Sequence, residues 1–174
     1  MCKIQLMQML DIIFKSATAI IALANLFFVI KFFNFKNKKE DIDKEKDRRI
    51  QWLKTLVLDH NLNSFYSFFD SVELELDNLK SNNLSIVDKK IIDEKIGDEF
   101  IKLRRKFTDS LIAVDEIFYK KVLSVTDNFQ SYLTNTIFDN GINLTHQPKF
   151  EELILEKITI AKTDIIKLLF RYRG

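Results

Sequence analysis

The sequence predicts an all-helical protein with one N-terminal membrane-spanning helix followed by a helical bundle. Only three glycines and one proline occur in 174 residues, and because these residues punctuate strands and turns, their scarcity favours a few long helices. One long apolar run lies near the N-terminus, and beyond it apolar residues recur at helical spacing. We therefore divide the chain into an N-terminal segment with the transmembrane helix (1–33), a charged stalk (34–49) and a helical bundle (50–174).

The apolar run extends from Ile12 to Phe33. A hydrocarbon core about 30 Å thick needs roughly 20 apolar residues in a helix, and Lys15 and Lys31 near the ends can extend their amino groups toward the lipid headgroups. A cleaved signal peptide with Ala22-Leu23-Ala24 at its cleavage site is one alternative, and a buried core helix is another. Strong hydrophobicity continues past that site, which favours an uncleaved anchor.

The charges on the two sides of the apolar run predict its orientation. Residues 1–14 contain one lysine and one aspartate, whereas the other flank is crowded with basic residues. Basic flanks stay in the cytoplasm, so the C-terminal domain is expected to be cytoplasmic and the N-terminus outside. The only cysteine, Cys2, has no partner for an intrachain disulfide, which fits a reducing compartment. The basic residues of the second flank are Lys31, Lys36, Lys38, Lys39, Lys44, Lys46, Arg48 and Arg49.

Polar and small residues form a stripe along the predicted transmembrane helix. Their spacings of 3, 4, 3, 4 and 3 place them on one helical face, opposite a strongly apolar face. A lone helix would expose this stripe to lipid, so we expect it to face other copies of the same helix or a water-filled lumen. An interfacial position of the N-terminal polar residues, with the others simply tolerated, is the open alternative. The stripe consists of Gln8, Asp11, Lys15, Thr18, Ala22 and Asn25, of which Asp11, Lys15, Thr18, Ala22 and Asn25 are the predicted pore-lining residues; the opposite face carries Ile12, Ile13, Ile20, Leu23, Phe27 and Ile30.

Five apolar-periodic stretches predict an up-and-down bundle with a phenylalanine-rich core. The first ends at Asp59-His60-Asn61, and Ser85 with Asp88 predicts a capped start for the third, which Gly97 would break. The cluster Asp139-Asn140-Gly141 closes the fourth. The second to fifth stretches cover about 62–80, 85–118, 119–138 and 149–172, and the third is expected to bury Val87, Ile91, Phe100, Leu103, Phe107, Leu111 and Val114.

The sequence contains no pattern that predicts a catalytic, metal or cofactor site. Three glycines cannot build a phosphate-binding loop, and one cysteine with two distant histidines does not make a zinc site. His60 and His146 fall in predicted polar loops, where a surface or capping role is the plainest interpretation. They also invite comparison with the Arg-x4–6-His motif of HEPN ribonucleases. Neither has such an arginine; Lys54 precedes His60 with five residues between, and lysine replaces a guanidinium poorly.

The polar-striped helix, the charged stalk, the segment RRIQWLKTLVLDHN at 48–61 and the degenerate motif of Lys54, His60 and His146 together resemble one family. It comprises the membrane accessory proteins encoded beside the RNA-guided, RNA-cleaving effector of type VI-B CRISPR systems. The resemblance implies a HEPN-like bundle, a ring-like homo-oligomeric pore in the bacterial inner membrane, and enhancement of antiviral defence by loss of membrane integrity. It implies a functional link to that effector and leaves direct RNA binding open. A membrane-tethered HEPN-type ribonuclease and a passive membrane anchor or scaffold are the alternatives.

Overall fold

A computed structural model describes the backbone of residues 2–81 and 84–174, and all side chains in these ranges except those of 2–14 and 16–19. The described residues are helical throughout apart from short connections, and no strand occurs among them, so the all-helical prediction is confirmed. The chain forms two compact units, Met1–Glu45 and Lys46–Gly174. Its helices are α1 (Cys2–Trp52), a π-helical turn (Leu53–Leu58), α2 (Asp59–Asp77), a 3-10 turn (Asn78–Lys80), α3 (Ile86–Lys106), a 3-10 helix (Thr108–Ala113), α4 (Glu116–Phe138), α5 (Gln147–Phe150), a second π-helical turn (Glu151–Leu155) and α6 (Glu156–Arg171).

The second unit is a bundle in which α2, α3, α4 and α6 run alternately up and down. Thr134 on α4 donates a hydrogen bond to Asp93 on α3 at 2.7 Å, and further along the pair Phe100 packs against Phe129. Between these two contacts the residue number increases along α3 and decreases along α4, so α3 and α4 are antiparallel. Lys157 lies over the ring of Tyr132, which joins α6 to α4.

Phenylalanine rings fill the centre of this bundle, as the sequence predicts. Their centroids lie 4.9–6.3 Å apart in mostly edge-on or tilted pairs, the geometry that aromatic quadrupoles favour. Rings from α2, α3 and α4 therefore interlock in one cluster, which fixes how these helices pack. The cluster consists of Phe65, Phe68, Phe69, Phe100, Phe107 and Phe129.

The predicted break at Asp59-His60-Asn61 is wrong, because helical structure continues through these residues into α2. The π-helical turn before them adds a residue per turn, and so it aligns the buried Leu53 and Val57 with the core-facing stripe of α2. The Asn61 side chain donates a hydrogen bond to the Leu56 carbonyl at 3.4 Å, satisfying an acceptor where the regular α-helical pattern is interrupted.

The start of α3 is capped as predicted, but its buried face is not the predicted one. The Ser85 hydroxyl accepts a hydrogen bond from the Asp88 amide, and the Asp88 carboxylate accepts one from the Ser85 amide at 2.9 Å. The exposed fractions of Val87 and Ile91 are 66% and 48%, so their predicted burial is wrong. Their neighbours Ile92 and Ile96 are buried instead.

Gly97 does not break α3, and the predicted third helix ends earlier than expected. The helix runs through Gly97 and stops at Phe107, whose φ of −125° and ψ of −60° leave the helical region. Phe107, whose ring is buried, directly precedes the 3-10 helix that leads to α4. The predicted end of α4 is confirmed, since the Asp139 carboxylate accepts a hydrogen bond from the Gly141 amide at 2.7 Å just after Phe138.

Candidate functional site: an exposed apolar helix and two surface histidines

The middle of α1 carries large apolar side chains that are exposed on every side of the helix. Among the described residues, the helical run that starts at Ile20 contains a segment of mean hydropathy 1.4, none of it buried. It is the helix that is long and apolar enough to cross a membrane. The exposed fractions range from 52% to 70% in the set Ile20, Ile21, Leu23, Leu26, Phe27, Phe28, Val29, Ile30, Phe32, Phe33 and Phe35.

The predicted pore-lining residues all lie on α1, at positions that share one face of an unbroken helix. Lys15, Ala22 and Asn25 are exposed. Asp11 and Thr18, like Gln8, belong to the helix, but their side chains lie outside the described residues. On the opposite face, the predicted lipid-facing residues Ile20, Leu23, Phe27 and Ile30 are also exposed.

The residues of the degenerate HEPN-like motif are spread over the surface of the second unit. Lys54 is exposed on the first π-helical turn and His60 is exposed at the start of α2, so the predicted loop position of His60 is wrong. His146 does lie in a loop, where it directly precedes α5. In the described part of the chain, none of these three side chains takes part in an ion pair or a hydrogen bond.

A half-buried polar contact that sequence reasoning missed connects distant segments of the second unit. The Arg49 guanidinium donates a hydrogen bond to the Asp115 carboxylate, Nη1 to Oδ2, at 2.7 Å. The other oxygen of Asp115 accepts from the Phe118 amide at 2.7 Å and so caps α4. The ring of Tyr172 lies 4.5 Å from that of Phe118. An aspartate directly before an apolar-periodic helix can be recognised in the sequence as a capping residue. Its proximity to Arg49 and Tyr172, which are 66 and 57 residues away, cannot be recognised in this way.

The Tyr172 hydroxyl is buried beside this pair. Burial raises the pKa of Tyr172 above its ordinary value, the Asp115 carboxylate raises it further, and the Arg49 guanidinium partly offsets both effects. After Tyr172 the chain ends against the start of the unit: a Cβ on Gly174 would lie 2.6 Å from the Lys46 backbone, and the φ of Gly174 is +82°. Gly174 therefore lies against Lys46, and Tyr172 lies beside Arg49.

A groove of about 250 Å³ lies between α4 and α6 and is lined mainly by Val125, Phe129, Tyr132 and Ile160. Within residues 15, 20–81 and 84–174, no group of three or more His, Cys, Asp or Glu side chains is placed to hold a metal ion.

Comparison of the chain with models of protein families, with curated proteins and with solved structures gave no match. The HEPN-like character of the bundle and the relation to a CRISPR system therefore rest on the sequence resemblance alone.

Proposed function

We propose that this chain is a single-pass membrane protein whose N-terminal helix assembles with copies of itself into a pore. The C-terminal bundle is the cytoplasmic module of that assembly, and the N-terminus lies outside the membrane. Following the resemblance, the pore enhances CRISPR-linked antiviral defence by compromising the bacterial inner membrane, in functional association with an RNA-guided, RNA-cleaving effector.

The observation that carries the membrane-spanning part of this proposal is the apolar surface of α1 between Ile20 and Phe35. Between Ile20 and Phe35, every large apolar side chain is more than half exposed. The other residues of this range are Ala22, Ala24, Asn25, Lys31 and Asn34. Apolar patches on monomeric soluble proteins rarely exceed a few hundred Å², and about 25 cal/mol is gained for each Å² of apolar surface removed from water. A lipid bilayer removes such a surface on all sides at once.

The polar stripe supports assembly over a solitary anchor. Thr18 and Asn25 lie well inside the apolar run, and an unsatisfied hydroxyl or amide resists burial in hydrocarbon. Copies arranged around a central axis would turn these groups toward one another and toward water. Thr18 and Ala22 on the stripe are small, which allows the close approach that this needs.

A membrane-tethered ribonuclease is the second candidate. Its support is that His60 and His146 are both exposed, since HEPN ribonucleases form their site between two subunits and need accessible motif residues. The lack of an upstream arginine at either position weighs against it. A passive anchor or scaffold is the third candidate, and it needs only the apolar helix.

The mass of the detergent-solubilised full-length protein tests the proposal. We expect light scattering, corrected for bound detergent, to give several times the 20.6 kDa chain mass, because a monomer leaves the stripe facing detergent tails. Replacing Asp11 and Lys15 by leucine should shift the protein toward smaller species, while Ile12→Leu with Ile13→Leu, on the opposite face, should leave the mass unchanged. A monomeric wild-type protein would refute the pore and leave the anchor.

A further inference from the structure

The charged residues at the C-terminal end of the apolar segment of α1, and directly after it, are all basic. Residues 31–39 contain four lysines and no acidic residue, whereas 40–49 contain five acidic and four basic residues. The lysines are Lys31, Lys36, Lys38 and Lys39, and all four are exposed. Positive charge is thus concentrated in the part of the helix next to the apolar segment, and the following turns are close to neutral.

Two of these lysines share a face with the residues that we assign to lipid. Ile20, Phe27, Lys31 and Lys38 follow one another at spacings of 7, 4 and 7, which places them on one side of α1. Neither Lys31 nor Lys38 forms an ion pair within the described part of the chain. By contrast, Lys44 is already paired with Glu40, Nζ to Oε1, at 3.0 Å.

The distance between Lys31 and Lys38 along the helix is comparable with the thickness of a lipid headgroup layer. At about 1.5 Å per residue, Lys38 lies roughly 10 Å beyond Lys31, and a headgroup layer is about 5–8 Å thick on each side of the hydrocarbon core. Lys31 can extend from the end of the apolar segment to the phosphates, as lysines near helix ends do. Lys38 then approaches the same layer from the water side.

We infer that Lys31 and Lys38 bind the phosphate groups of anionic phospholipids, whose acyl chains lie against Ile20 and Phe27. This inference rests on the proposed membrane span. Charge complementarity selects the lipid class: two ammonium groups above an apolar face neutralise an anionic headgroup, whereas a zwitterionic headgroup supplies its own cation. The near-neutral composition of 40–49 confines this attraction to the membrane surface.

Lipid retention by the purified full-length protein tests the inference. Protein in mild detergent is mixed with phosphatidylglycerol or phosphatidylcholine of identical acyl chains, and the lipids that remain bound are counted by native mass spectrometry. We expect the wild type to retain phosphatidylglycerol preferentially, and the preference to fall about fivefold for each of Lys31→Gln and Lys38→Gln. Lys38→Arg should keep it, because the positive charge remains.

Lys44→Gln is the matched control, since it removes a lysine from the same helix that is already paired with Glu40. An equal loss of preference in Lys44→Gln, or no preference in the wild type, would overturn the inference. Reconstitution into vesicles separates this outcome from failure of the proposed function. A protein that resists alkaline extraction but shows no lipid preference retains its membrane span, whereas a protein that is extracted lacks the span altogether.

Discussion

At the scale of single residues, one carboxylate connects the three segments that meet at one end of the bundle. Asp115 caps α4 through one oxygen and holds Arg49 through the other, and the Tyr172 ring packs on the capped residue Phe118. The Asp115 side chain is only 14% exposed, and a charge-assisted hydrogen bond in such a setting is stronger than one at the open surface. Both the start of the unit and its C-terminal tail are thereby attached to the first turn of α4.

The two histidines, by contrast, are free of such contacts, and their exposure leads to a prediction about chemistry. Because neither has an upstream arginine, we expect the pure wild-type protein to cleave RNA little if at all. His60→Ala and His146→Ala should then leave that low rate unchanged within error. The measurement is cleavage of a labelled naked RNA by the detergent-solubilised protein. Robust cleavage that one of these variants abolishes would place the ribonuclease ahead of the pore.

At the scale of helices, apolar spacing predicts most of the bundle. It assigns the wrong residues to the buried face where the helix is irregular. Phe65, Phe69 and Phe129 are buried as their periodicity predicts. In the first stretch, Leu56 is 49% exposed while its neighbour Val57 is fully buried, because the π-helical turn rotates this part of the chain. In α3, either Val87 and Ile91 or Ile92 and Ile96 fit a helical stripe, and only packing against α2 and α4 decides between them.

The candidate site, too, is only partly predictable from the sequence. Sequence spacing is sufficient to place Ala22 and Asn25 on one face of α1, because a regular helix fixes that relation without tertiary contacts. Polar residues in Asp59-His60-Asn61 predict a loop, yet an exposed helical surface tolerates the same residues equally well. The Arg49–Asp115 contact joins residues 66 apart, and no local pattern specifies such a pair.

Gly97 provides a helix-scale prediction about stability. It sits inside α3, and a Cβ built there meets no atom within 4 Å. Gly97→Ala should raise the free energy of unfolding by up to about 1 kcal/mol, since alanine loses less backbone entropy in a helix than glycine does. Urea unfolding followed by circular dichroism measures the change.

Gly141→Ala is the matched control for this prediction. Gly141 lies outside the helices, and its Cβ would be 3.2 Å from Asp139 Oδ1, so the same substitution there should give no gain. If Gly97→Ala instead lowered the free energy of unfolding, the helix would need glycine at this position for a reason other than local geometry.

At the scale of the whole molecule, the two compact units differ in the burial of their apolar side chains. The unit Lys46–Gly174 buries its phenylalanines within its own core. The unit Met1–Glu45 has a described apolar segment with no burial at all. The proposed function accounts for this difference, since it places the apolar helix in the membrane and the second unit in water.

The proposed pore makes its most specific prediction at Asn25. On the lumen-facing assignment, this amide is in contact with water near the middle of the membrane, where contact with lipid would be costly. Asn25→Leu should preserve or improve expression and insertion, because leucine is favourable in the bilayer core. It should nevertheless reduce ion conduction, since a ring of leucines at a narrow constriction favours dewetting.

Leu23→Asn, on the opposite face, is the reciprocal variant that tests the assignment of faces. It should insert less well, because its amide meets lipid, but each inserted molecule should conduct normally. Membrane potential in cells that express equal membrane levels of each variant, under conditions that activate the wild type, distinguishes the two. Full depolarisation by Asn25→Leu would mean that Asn25 does not line a constriction. Loss of depolarisation in Leu23→Asn alone would mean that the lumen lies on the face of α1 that we assign to lipid.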